Sequence, residues 1–60
     1  MKTISIDLLD DEAWAFAEFL KRVGYSDYRK LAASDQEAYE MQSAGEVVRR
    51  ALAEKGYAPR

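Results

Sequence analysis

The chain has no cysteine and no histidine, and only one proline and three glycines among its 60 residues. Without Cys there is no disulfide to staple a small fold, and without Cys or His the usual zinc ligands are missing. The remaining way to enlarge a small core is association. The same absences remove the commonest pairs of nucleophile and base. What is left for catalysis is Asp7, Asp10, Asp11 and Glu12, whose spacing lacks the alternating oxygens and the Gly of a calcium loop. Such acids are ordinary at a helix start, where the dipole favours negative charge. No catalytic residue, metal ligand or cofactor is therefore assigned, and the chain is expected not to be an enzyme. Gly24, Gly45 and Gly56 stand apart from one another, which excludes a glycine-rich phosphate loop. No run approaches the roughly 18 apolar residues of a membrane span. Met1 opens directly into folded-looking sequence, and the expected location is the cytoplasm.

Charge is nearly balanced, with 11 acids against 9 bases, a net −2 and a pI near 5.0. That balance argues against nucleic acid as a default partner while leaving room for a local basic patch. Lys21-Arg22, Arg29-Lys30 and Arg49-Arg50 are the basic doublets, and solvated helix faces account for them most simply. Arg50 stands four residues from both Glu46 and Glu54, the spacing of ordinary surface pairs.

The longest uninterrupted element runs from Ser34 to Lys55. Ser34 and Glu37 have the spacing of a capping box at its start. At its end Gly56 suits a left-handed residue, Tyr57 can fold back on the last turn, and Pro59 forbids continuation. Ala38, Met41, Ala44, Gly45, Val48, Ala51 and Leu52 share one stripe, and most of it is Ala or Gly, so another backbone is expected to come unusually close. Gly45 costs about 1 kcal/mol of helix propensity.

An earlier helix starts near Asp10, with Ala13, Phe16, Ala17, Phe19, Leu20 and Val23 as its core stripe and Gly24 as its stop. Trp14 falls off that stripe. With Asp10 as the cap, Leu9 and Trp14 have the spacing of a hydrophobic staple, and a ring so placed also suits a partner contact. Between the helices, Ser26 and Asp27 can cap a brief connecting helix through Leu31, with Leu31 pointing inward.

Lys2 to Leu8 alternates, with Ile4, Ile6 and Leu8 on one side and Thr3, Ser5 and Asp7 on the other, which predicts a strand. Nothing downstream repeats that pattern, so its ladder partner is expected to be the same strand of a second copy. The expected fold is thus a single α+β domain over residues 1–60, mostly α: an N-terminal strand, two main helices and a short connecting helix, paired across a homodimer. Ile4, Ile6, Leu8, Trp14, Tyr25 and Tyr28 are the candidate protein contacts.

Ser43-Ala44-Gly45-Glu46-Val47-Val48-Arg49-Arg50-Ala51-Leu52, following a strand and a helix, resembles the second half of ribbon-helix-helix repressors and antitoxins. That resemblance implies paired strands lying in a DNA major groove and a helix start clamping phosphate, with Lys2, Thr3, Ser5, Arg49 and Arg50 as candidate nucleic-acid contacts. Over its full length the chain is similar to a group of short, uncharacterised proteins of proteobacteria and their phages, through Thr3-Ile4-Ser5-Ile6-Asp7-Leu8, Phe19-Leu20-Lys21-Arg22-Val23-Gly24 and Arg50-Ala51-Leu52-Ala53-Glu54. The leading functional expectation is a non-enzymatic protein-interaction module whose partners are itself and another protein, with a DNA-binding regulator as the alternative.

Overall fold

The computed structural model describes all 60 residues and contains three helices: α1 (Asp10–Arg22), α2 (Tyr25–Leu31) and α3 (Asp35–Glu54). There is no β-strand, so the β-α-α expectation is corrected to an all-helical one. Residues 1–9 are exposed, and the backbone of 1–8 makes no hydrogen bond within the chain. The physical reason is the one that made the strand an orphan: the rest of the chain is helical and offers no edge to complete a ladder. Ile4 and Ile6 are 81% and 67% exposed. Alternation without a ladder partner makes no strand here.

The helix ends follow from local hydrogen bonding. Leu9, not Asp10, is the cap of α1, and its amide donates to the Glu12 carboxylate at 2.9 Å. Asp10, Asp11 and Glu12 fill the first turn and Lys21 and Arg22 the last, both signs matched to the dipole. Gly24 does follow the end of α1, but with φ −113° it is extended; it caps α2 instead, its amide donating to Asp27 Oδ2 at 2.9 Å. The connecting helix therefore begins at Tyr25, earlier than the Ser26 start expected. Ser34 caps α3 as anticipated, accepting from the Glu37 amide at 3.1 Å, although the Glu37 carboxylate reaches past Ser34 to the Ala33 amide at 2.9 Å. At the far end the Tyr57 amide donates to the Leu52 carbonyl and the Gly56 amide to that of Ala53, with Gly56 at φ 99°. This is a Schellman closure, and it needs a residue without a Cβ at Gly56.

α1 and α2 each pack on α3. Because Trp14 and Asp10 meet Tyr57 while Leu20 approaches Gly45, α1 runs antiparallel to the C-terminal half of α3. The buried set is small: Ala13, Ala17, Leu20, Ala38 and Leu52. Four of those residues, Ala13, Ala17, Leu20 and Leu52, form one cluster, with Val23 and Tyr57 against them. The remainder of each expected core stripe lies outside this cluster. Phe16 is 44% and Phe19 51% exposed, and Leu31, expected to point inward, is 85% exposed. Small residues at the helix crossing explain it. Ala13, Ala17 and Ala38 let the axes approach, the buried stripe narrows to those positions, and rings on its flank are turned outward.

Candidate interaction surface

Two sites where side chains join the helices, and one where they do not, define the surface. At the first, Tyr57 folds back from the end of α3 so that its hydroxyl donates to Asp10 Oδ1 and its ring takes Trp14 edge-on, centroids 5.3 Å apart. The bond to Asp10, followed by burial, raises the Tyr57 pKa above its ordinary value. Trp14 thus has a place within its own chain. With Leu9 as the cap, the residue pair at staple spacing is Leu8 and Ala13, so the Leu9–Trp14 staple loses its frame.

At the second, α2 is clasped to the start of α3. The Arg29 Nε donates to Asp35 Oδ1 at 2.6 Å, the Tyr25 hydroxyl reaches the same oxygen at 3.3 Å, and the Tyr25 and Tyr39 rings lie 4.8 Å apart. Burial first, then the Asp35 charge, raises the Tyr25 pKa. Tyr28 lies over Gly45, where a Cβ would overlap the Tyr28 hydroxyl and touch Leu20. The close approach expected along the α3 stripe is therefore made by a tyrosine side chain. Two of the candidate contact residues, Tyr25 and Tyr28, are accordingly half-buried and engaged within the chain.

The third is left open. Between the C-terminal half of α1 and α2 lies a depression of about 550 Å³ lined by Ala15, Phe19, Val23, Tyr28, Leu31 and Met41, with Arg22 and Asp27 as its polar members. Phe16 and Phe19 stack beside it, centroids 5.6 Å apart and 15° from parallel. On the α1 and α3 wheels Phe16, Phe19, Met41, Ala44 and Val48 fall on the same flank of the antiparallel pair, so the apolar face continues past the groove. The other depression, over Gln36, Tyr39, Glu40 and Ser43, is flatter and offers one apolar side chain.

Phe16, Phe19 and Leu31 are the surface residues that sequence reasoning missed. The signal was available in the width of the α1 stripe: on a 100° wheel Phe19 stands more than 100° from the centre of Ala13, Ala17 and Leu20, beyond what one neighbouring helix can cover. The other candidates are scattered. Ile4, Ile6 and Leu8 sit with Lys2, Thr3 and Ser5 on the extended N-terminal segment. Arg49 is half-buried and Arg50 exposed on the second half of α3, and neither joins an ion pair: the pairs formed are Arg22–Glu18 and Arg29–Asp35. The two-stranded ribbon that would place Lys2, Thr3 and Ser5 in a major groove is not formed.

No group of three or more Asp and Glu side chains is disposed to hold a metal ion, and no helix is long and apolar enough to cross a membrane. A small three-helix protein with one open apolar face is the class these features define. The chain belongs to DUF7706, a family of unknown function whose model matches residues 1–60. No curated protein and no solved structure matches it.

Proposed function

We propose that this chain is a non-enzymatic protein-interaction module whose working surface is the groove between α1 and α2 and the Phe16–Phe19 face beside it. One observation carries the reading. The groove is walled by capped helices, yet Phe19 and Leu31 on it face solvent, at 51% and 85% exposure. An apolar patch held open on a well-capped scaffold is the surface that protein partners bury, and aromatic side chains are the usual anchors of such interfaces. Catalysis has little to work with: no His, no Cys, and, among the carboxylates, Glu12 and Asp27 used at helix starts and Asp10 bonded to Tyr57.

The test is site-specific photo-crosslinking in cells with a benzophenone side chain in place of Leu31. The reading expects one or a few discrete adducts that disappear when Phe19→Glu is added, and that persist when the crosslinker-bearing chain instead carries Gln36→Glu on the polar depression. No adduct, or a smear indifferent to Phe19→Glu, refutes it.

A further inference from the structure

Resting on that reading, we infer that the occupant of the groove face is a second copy of this chain, packed across a two-fold axis.

The surface area states the need. A compact protein of 6.8 kDa has an accessible surface of about 4,000 Å², whereas this chain exposes 5140 Å². Its radius of gyration is 12.2 Å, against about 10.4 Å for a compact domain of this length. The excess of roughly 1,100 Å² exceeds the about 800 Å² per partner that a stable interface of standard size removes. Residues 1–9, every one of them exposed, supply much of that excess, and Phe16, Phe19 and Leu31, at 44%, 51% and 85% exposure, add to it. The shape agrees: the molecule is a slab of 33 × 27 × 15 Å. Stacking two such slabs by their apolar faces gives one two-layer helical domain with a shared core, the ordinary solution for helices carrying an uncovered apolar stripe.

Self-complementarity states the partner. A two-fold interface must present the same patch on both sides. Here the patch contains a depression with Phe19 in its wall and Phe16 stacked on Phe19, the two rings 51% and 44% exposed. Rotation by 180° sets the stacked rings of each copy against the same face of the other. The polar members of the groove are one cation and one anion, Arg22 and Asp27. Across a two-fold axis the face meets both signs of charge in its own copy, since Asp27 and Arg22, which pairs with Glu18 within the chain, both lie on it.

Analytical ultracentrifugation of the full chain from about 1 to 300 µM decides it, read alongside helicity by circular dichroism. The expected result is an equilibrium reaching twice the 6.8 kDa chain mass. Leu31→Glu, at a side chain with almost nothing to lose in the monomer, is expected to keep the helicity and weaken dimerisation at least tenfold. Ile4→Glu, equally exposed but on the N-terminal segment, is expected to leave it unchanged. A wild-type monomer across the whole range overturns the inference, as does a dimer that Ile4→Glu dissociates and Leu31→Glu does not. A monomer whose Leu31 crosslinks to a different protein overturns the second copy while leaving the interaction reading standing. A monomer with no crosslink removes both.

Discussion

At the N-terminal end of α1 the chain supplies its own partner to an exposed ring, leaving Trp14 44% exposed, and towards the C-terminal end Phe16 and Phe19, 44% and 51% exposed, stack on each other. Tyr57 folds back to hold Asp10 and Trp14, Gly56 turns the backbone to let it, and Leu52 sits with Ala13, Ala17 and Leu20 beneath. At the other end the chain turns through Gly24 into α2, which lies along α3 and leaves the neighbouring flank of α1 uncovered. The first end shows what this chain does when it has a residue to spare for an exposed ring. The second shows the same kind of apolar material with nothing assigned to cover it. On the proposed reading, the difference separates residues that stabilise the chain from residues that a partner would cover.

Adjacent residues on α1 give the largest expected contrast. Leu20 is 5% exposed and Phe19 51%. Leu20→Ala is expected to cost about 3 kcal/mol, enough to abolish a cooperative melt in so small a domain. Phe19→Ala, which removes the bigger side chain, is expected to cost under about 1 kcal/mol in dilute solution, where association makes no contribution. Thermal denaturation of the two variants at low micromolar concentration compares them, and equal losses would erase the distinction.

Trp14→Ala comes next. Loss of the edge-on pair with Tyr57 and of the half-buried ring should lower stability by about 2 kcal/mol. The loss is expected to be the same at any protein concentration, because Trp14 lies at the end held by Tyr57. Denaturant melts at two concentrations check this; a concentration-dependent loss would move Trp14 to the interface.

Gly45 sharpens the open end. Gly45→Ala should gain helix propensity and lose the seat of Tyr28, for a net change near zero. In a Tyr28→Ala background the same substitution should stabilise by about 1 kcal/mol, so the two sites should be non-additive in a double-mutant cycle. Additivity would mean that Tyr28 is not held over Gly45.

The smallest effect is alkaline. The Tyr25 and Tyr57 pKa values are raised above 10.0 in the fold. Folding therefore favours the protonated rings, and their contribution is full below pH 10 and lost as pH rises through the raised values. The melting midpoint should fall above pH 10, less so in Tyr57→Phe, and an identical pH profile for that variant would count against the Asp10 bond.

Much of this fold was legible in the sequence wherever one residue type does one local job. Ser34 and Gly56 set both ends of α3, and Asp27 lies at the start of α2, because capping depends on neighbours within a few residues. The errors were non-local. Ile4, Ile6 and Leu8 read as a strand because alternation reports extension and says nothing about whether a ladder exists. Phe16 and Phe19 read as core because a wheel shows which residues could be buried, and not how much of that arc a single Ala-lined crossing covers. The groove itself was invisible, since it depends on where α2 lies after the turn at Gly24.

Amide hydrogen exchange on the intact chain at a low and a high protein concentration measures the central contrast most directly, because it reads both ends of α1 in one experiment. The account predicts that amides of Phe19–Leu31 gain more protection at high concentration than those of Leu52–Tyr57, which the chain protects for itself. Equal gains at both ends, or none at either, would contradict the proposal that association covers the Phe19–Leu31 face and leaves the end held by Tyr57 as it is.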